Sequence, residues 1–260
     1  MVLFDVEVPS GTENKLLMDV CLPESDRLRG TLLFLHGGGF TGGTKEQFLG
    51  ICAGVALATG WAAASLSYRL ASPETPFPAQ IEDIDAAVDF LQNRSAQWKL
   101  DQQNVVLAGG SPGGCIAAMA CLLPKDSSAH SWNGKDGLRQ CILLNGIMDM
   151  PAFIRRNPEE EKNLLAFLPD PGKWEGYSPL HLAAEYGCGK RFLLLHGTED
   201  RVVPFAEARE MEKTVRQCGG MAETVAFPGE GHAWFNEAAK QGKVIRTIAA
   251  WLTEEEKERL

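Results

Sequence analysis

The sequence contains no Cys-x-x-Cys pair, no cluster of Lys and Arg, and no apolar run near the roughly 20 residues that span a bilayer. Each absence weighs against a class of function. Without paired cysteines a zinc or dithiol role has no support. The seven cysteines present (21, 52, 115, 121, 141, 188 and 218) are scattered, odd in number and mostly set in apolar sequence, so they read as reduced core thiols. Basic residues are also in deficit: 25 Lys and Arg face 34 Asp and Glu, a formal charge of −9. That balance argues against nucleic acid and anionic membrane surfaces as partners. The opening MVLFDVEVPSGTENKL lacks a basic stretch followed by an apolar one and does not read as a secretory signal. With the cysteine pattern, this gives the expectation of a cytoplasmic protein without a membrane span; a trimmed mature form is the alternative.

What is present is a chain of 260 residues, 45 % of them apolar, enough to bury a core as one α/β domain over residues 1–260. Residues 2–8 and 15–22 alternate around the turn SGTEN, which predicts an antiparallel hairpin. Short, nearly continuous apolar runs follow at 31–36, 61–68, 104–109, 140–145, 191–196 and 223–227. Runs of this kind read as strands buried on both faces of a parallel sheet. Helical patterns lie between them, at 45–59, 78–94, 112–123, 205–217 and 236–252. In the clearest, Ile81, Ile84, Val88 and Leu91 line one face. The order predicts a doubly wound, mostly parallel sheet of eight strands. Residues 151–182 break the rhythm and carry Phe153, Phe167, Trp174 and Tyr177; they read as a small lid or substrate-lining insertion, or else as an extra surface helix. The last eight residues, TEEEKERL, read as a solvated helix end.

Gly109-Gly110-Ser111-Pro112-Gly113-Gly114 joins a strand pattern to a helix pattern and fits the G-x-S-x-G template of a nucleophile elbow. A serine hydroxyl is a poor nucleophile alone; it needs a base, an orienter for the base and donors for the oxyanion. His36-Gly37-Gly38-Gly39-Phe40 follows an apolar run, where its glycines would let backbone N–H groups reach a substrate. Asp200 stands just past a buried strand and His232 after the last one. Each element has a plainer reading: a chance match for the elbow, a tight turn for HGGGF, a packed histidine, a capping carboxylate with Glu199 as rival. All four in the order Ser, Asp, His, each after a strand, favour catalysis.

Through HGGGF, SYRLASPETPFPAQIEDIDAAVDFL, GGSPGG, SPLHLA, HGTEDRVVP and GEGHAWF, nearly the whole chain resembles the α/β-hydrolase superfamily. Within it, the chain is similar to hormone-sensitive-lipase-like and feruloyl/acetylxylan-esterase-like (BD-FAE-like) carboxylesterases. The resemblance implies Ser111 as nucleophile, His232 as general base and then acid, Asp200 as orienter, and Gly37 and Gly38 as oxyanion donors. It implies no metal and no cofactor, and a small ester as the partner. Oligomeric state is left open.

The departure is Pro112, where these families usually carry alanine. Proline has no N–H, so the elbow loses one oxyanion donor, although proline also suits the first turn of a helix. Phe40, Met148, Trp174, Trp234 and Phe235 fall in strand-end loops and are candidates for an apolar substrate pocket, against ordinary packing. Arg69, Glu82 and Asp83 read as a structural polar network. His36 and His196 read as loop-orienting residues; His130 and His181 have no assigned partner. The leading reading is a serine esterase. One alternative is a specialised lactone or thioester hydrolase, or a cyclase using Ser111 and His232 for proton transfer. The other is a non-catalytic binding protein on the same fold.

Overall fold

Alternation along each central strand decides the architecture. Leu33 and Leu35 face one hydrophobic core while Leu32 and Phe34 face a second, because successive side chains on a strand point to opposite sides. A strand apolar on both faces needs helices above and below, and that arrangement is found. In the computed structural model, which describes residues 1–11, 15–24, 29–101, 103–124 and 138–259, eight strands form one sheet. They are β1 (Val2–Val8), β2 (Leu16–Cys21), β3 (Thr31–Leu35), β4 (Ala62–Ser67), β5 (Val105–Gly110), β6 (Gln140–Leu144), β7 (Arg191–Gly197) and β8 (Met221–Phe227). Their order is β1-β2-β4-β3-β5-β6-β7-β8. Strand β2 runs antiparallel to both β1 and β4, and every other pairing is parallel.

Helices α1 (Leu49–Thr59) and α9 (Ala238–Arg259) cover one face. The other face is covered by α2 (Ala79–Trp98), α3 (Pro112–Leu122), α7 (Pro179–Tyr186) and α8 (Phe205–Gln217). Ile81, Ile84, Val88 and Leu91 of α2 are all buried, as their spacing predicts. Helix α1 ends where Gly60 turns left-handed at φ 74°. The family-implied α/β-hydrolase fold is therefore present. Turn residues 12–14 of the predicted hairpin, and His130, lie outside the described residues.

The segment expected as a small lid or substrate-lining insertion, or else as an extra surface helix, folds as a series of short helices. Helices α4 (Met150–Arg156), α5 (Glu161–Phe167) and α6 (Trp174–Tyr177) lead into α7, with 3₁₀ turns at Pro158–Glu160 and Pro171–Lys173. The Asp149 carboxylate caps α4 by accepting from the Ala152 N–H at 2.8 Å. Ser178 Oγ accepts from the Met150 N–H and donates to the Trp174 carbonyl. Phe167 stacks on Phe40 of the HGGGF loop at 4.6 Å, and its carbonyl accepts from the Phe77 N–H. Asn157 donates to the Val202 carbonyl beyond β7. The insertion is thus clamped across the loops at the carboxyl ends of β3 and β7.

Candidate active site

A parallel sheet gathers the loops after its strands along one edge, and the expected triad meets there. Ser111 follows β5 and caps α3 with φ 54° and ψ −124°, a conformation that costs about 1–3 kcal/mol and persists only where its surroundings impose it. The cause is local. Pro112 starts α3, and Gly113 packs so close beneath β3 that a methyl group on it would lie 2.2 Å from the Leu35 carbonyl oxygen. The turn holds Ser111 partly exposed, with its Oγ 2.9 Å from His232 Nε2.

His232 reaches the serine because the loop after β8 is tied to the end of β7: Thr198 N–H donates to the Phe227 carbonyl and Glu199 N–H to the Glu230 carbonyl. On the far side of the ring, His232 Nδ1 donates to Asp200 Oδ2 at 2.8 Å. The other carboxylate oxygen accepts from the amides of Val202 and Val203, both at 2.9 Å. Burial works against the charge on Asp200, but hydrogen bonds from His196 and His232 outweigh it and hold the carboxyl well below the usual carboxylate range. The side chain is wholly buried. Asp200, not the exposed Glu199, is the carboxylate in contact with His232.

Asn145, at the end of β6, went unmarked in the sequence. It is fully buried at φ 41°, with Nδ2 3.3 Å from both ring nitrogens of His232. Since Nδ1 donates to Asp200 and Nε2 accepts from Ser111, the amide serves as a packing surface against the imidazole. The only sequence signal would have been an asparagine after a buried strand, a residue that tolerates left-handed backbone.

The oxyanion region differs from the expectation. The Gly37 N–H donates to Gln47 Oε1 at 2.6 Å and is not free. Among the described residues no acceptor meets the N–H of Gly38 or Gly39, and Pro112 has none to offer. Within this loop the N–H groups of Gly38 and Gly39 are thus without an acceptor, while that of Gly37, the glycine that packs against Ser111, is taken by Gln47.

The expected apolar pocket residues are packed into the core. Phe40, Met148, Trp174 and Trp234 are each at most 6 % exposed, and Phe235 is fully buried. Phe40 is sealed under Phe167, Trp174 Nε1 donates to the Leu168 carbonyl, and Trp234 packs on Phe227 at 4.9 Å. Apolar side chains in strand-end loops close the core here instead of lining an open pocket. A cavity of about 370 Å³ lies beside the insertion, lined by Asp149, Arg155, Glu175, Ser178 and His181 among others, and touches none of the triad.

The supporting residues sit as expected. Asp83 receives both the Arg69 backbone N–H at 2.7 Å and Nε at 2.9 Å, and Arg69 Nη2 reaches Glu82. His36 stacks on Tyr68 at 4.3 Å, and burial lowers its pKa, so it stays neutral while Tyr68 Oη donates to its carbonyl. His196 Nε2 donates to the Val203 carbonyl and lies 3.4 Å from Asp200. Among the described residues, no group of three or more His, Cys, Asp or Glu side chains is placed to hold a metal ion, and no helix is long and apolar enough to cross a membrane.

Comparison with known proteins fits this geometry. The BD-FAE family model matches residues 18–215. The chain belongs to the BD-FAE family. It is 34 % identical over 140 residues to Lipase 2 of Moraxella sp. (strain TA144), covering 54 % of this chain and 29 % of that one. It is 25 % identical over 238 residues to Esterase LipC of Mycobacterium tuberculosis, covering 86 % and 58 %. The chain thus spans less than two thirds of the length of either relative. Among solved structures, the esterase of the archaeon Pyrobaculum calidifontis superimposes with a TM-score of 0.78 at 21 % identity, over 96 % of this chain and 84 % of that one. Esterase Est2 of Thermogutta terrifontis, with propionate bound, gives 0.75 at 24 % identity, over 98 % and 93 %. These likenesses establish the fold that this family member shares with both enzymes.

Proposed function

We propose that this chain is a cofactor-independent serine esterase that cleaves small carboxylic esters through an acyl-enzyme on Ser111. The observation that carries the reading is the unbroken contact from Ser111 Oγ to His232 Nε2 at 2.9 Å and from His232 Nδ1 to Asp200 Oδ2 at 2.8 Å. With Nδ1–H held by the carboxylate, Nε2 carries the lone pair and faces the hydroxyl proton. His232 takes that proton as Ser111 attacks the ester carbonyl, then returns it to the departing alcohol. Water repeats the sequence on the acyl-enzyme. Asp200 stays ionised and stabilises the transient imidazolium. Gly38 and Gly39 offer their N–H groups to the oxyanion.

The match to a lipase and to esterases supports an ester as substrate. Est2 of Thermogutta was solved with propionate and with butyrate bound, which supports short acyl groups here. The seven free thiols support a cytoplasmic setting. Pro112 favours a second reading, in which the same triad serves one tailored lactone or thioester because the elbow lacks a donor. Incubation with a fluorophosphonate probe and with p-nitrophenyl acetate tests both. Labelling of Ser111 with turnover supports the general esterase, labelling with negligible turnover supports the tailored enzyme, and absence of both labelling and turnover supports a binding protein.

A further inference from the structure

Pro112 removes the elbow N–H and Gln47 occupies the Gly37 N–H, so two backbone donors near Ser111 are out of use. The group that occupies one of them brings a donor of its own. Gln47 Oε1 is anchored on the Gly37 amide, and the same carboxamide carries Nε2, which meets no hydrogen-bond partner among the described residues. A methyl group placed on Gly37 would lie 3.1 Å from the Gly110 carbonyl oxygen, 3.4 Å from Ser111 Cβ and 3.6 Å from Gln47 Nε2. The serine and the unpaired amide nitrogen therefore flank one small volume.

Gln47 is also held firmly. It belongs to the 3₁₀ turn Lys45–Phe48, whose first and last residues are both fixed. The buried Lys45 ammonium contacts Asp19 at 2.9 Å and Asp5 and Glu46 on its other sides, while Ser65 Oγ donates to the Lys45 carbonyl. Phe48 stacks on Phe34 at 4.9 Å and on Phe235 at 5.4 Å, and it packs directly against Gly110 of the elbow. A donor fixed before the reaction begins needs no reorganisation when charge develops, which is what makes such groups effective.

We propose that Gln47 is a catalytic residue whose Nε2–H replaces the oxyanion donor lost at Pro112, acting beside the Gly38 and Gly39 amides. This rests on the reading of Ser111 as nucleophile. As Ser111 Oγ bonds to the carbonyl carbon, the π electrons move onto the carbonyl oxygen, and Nε2 donates a hydrogen bond to it without giving up its proton.

The test compares the whole chain carrying Gln47→Ala, Gln47→Glu, Pro112→Ala, or Gln47→Ala with Pro112→Ala. The readouts are kcat and KM on p-nitrophenyl acetate and affinity for a trifluoromethyl ketone, which Ser111 converts to a stable tetrahedral adduct. Thermal melts confirm that each variant is folded. Gln47→Ala is expected to lower kcat about 10²–10³-fold with a smaller change in KM, and to weaken the ketone in parallel. Gln47→Glu keeps an acceptor for Gly37 but offers no amide donor, so it falls at least as far. Pro112→Ala returns an N–H to the elbow and raises kcat by a larger factor in the Gln47→Ala background than in the parent. Wild-type kcat in Gln47→Glu would reduce Gln47 to a loop anchor, and a rise in Gln47→Ala would make it a plug; either overturns the proposal. So does an equal gain from Pro112→Ala in both backgrounds. Fluorophosphonate labelling separates this from failure of the underlying reading. A parent protein that neither labels nor turns over refutes the esterase, and Gln47 with it. A parent that does both, with Gln47→Ala unimpaired, refutes Gln47 alone.

Discussion

Asp200 holds His232 with one carboxylate oxygen and the backbone with the other: Oδ2 accepts from His232 Nδ1 at 2.8 Å, while Oδ1 accepts from the Val202 and Val203 amides. The carboxylate is thus aimed before any substrate arrives. Asp200→Asn keeps the shape but can turn an N–H toward the imidazole, favouring the tautomer in which Nε2 carries the proton and cannot accept one. A drop in kcat of about 10⁴-fold on p-nitrophenyl acetate, with little change in KM, is expected. A loss under tenfold would mean that Asp200 does not set the tautomer.

The same contact predicts a pH dependence of stability. The native carboxyl of Asp200 is held below the usual range, so the unfolded chain takes up its proton first as pH falls. Its contribution is complete above the ordinary Asp pKa of about 3.9 and declines as pH falls below it toward the native value. Urea unfolding between pH 7 and pH 3 should show the parent losing stability more steeply than Asp200→Asn. Parallel slopes would contradict this.

Two glycines should behave oppositely. An alanine methyl at Gly113 would lie 2.2 Å from the Leu35 carbonyl oxygen and 2.3 Å from that of His36. Both are backbone atoms and cannot move aside, so Gly113→Ala should cost about 1–3 kcal/mol or more and displace Ser111. Gly176, in α6, has nothing within 4 Å of such a methyl; Gly176→Ala should add about 0.5–1 kcal/mol. Urea denaturation measures both, and fluorophosphonate labelling rates should fall only for Gly113→Ala.

Strand positions were legible because a strand buried on both faces is written as an unbroken apolar run, and TLLFL or RFLLL cannot be solvated. Ser111 and Asp200 were legible because each follows such a run; His232 follows β8, which as an edge strand is largely exposed and not buried on both faces as its apolar pattern suggested, and the topology brings the three together. The pocket was not legible. Trp174 and Phe40 are apolar whether they line a site or seal the core, and sequence does not record which. Gln47 and Asn145 were missed for a related reason. Each is a single polar residue with no motif, and its place depends on what the fold sets against it, the Gly37 amide for Gln47 and the His232 ring for Asn145. The capture of the Gly37 N–H likewise follows from one side-chain contact that no spacing rule contains.

The insertion should matter to activity through one ring. Phe167 is fully buried, stacked on Phe40 and edge-on to Phe77 at 5.9 Å. Phe167→Ala should cost about 3–5 kcal/mol and loosen the HGGGF loop that carries Gly38 and Gly39. Ester turnover should therefore drop even at temperatures where the variant remains folded by circular dichroism. Full activity in the folded variant would show that the insertion does not support the loop.

The proposed role of Ser111 as nucleophile is tested most directly by pre-steady-state hydrolysis of p-nitrophenyl acetate. The parent chain should release a burst of about one equivalent of p-nitrophenol per active site, leaving an acetyl group on Ser111 that mass spectrometry locates. Ser111→Ala should show no burst and turnover lowered about 10⁴–10⁶-fold. Undiminished hydrolysis by Ser111→Ala, or an acetyl group on another residue in the parent, would contradict it.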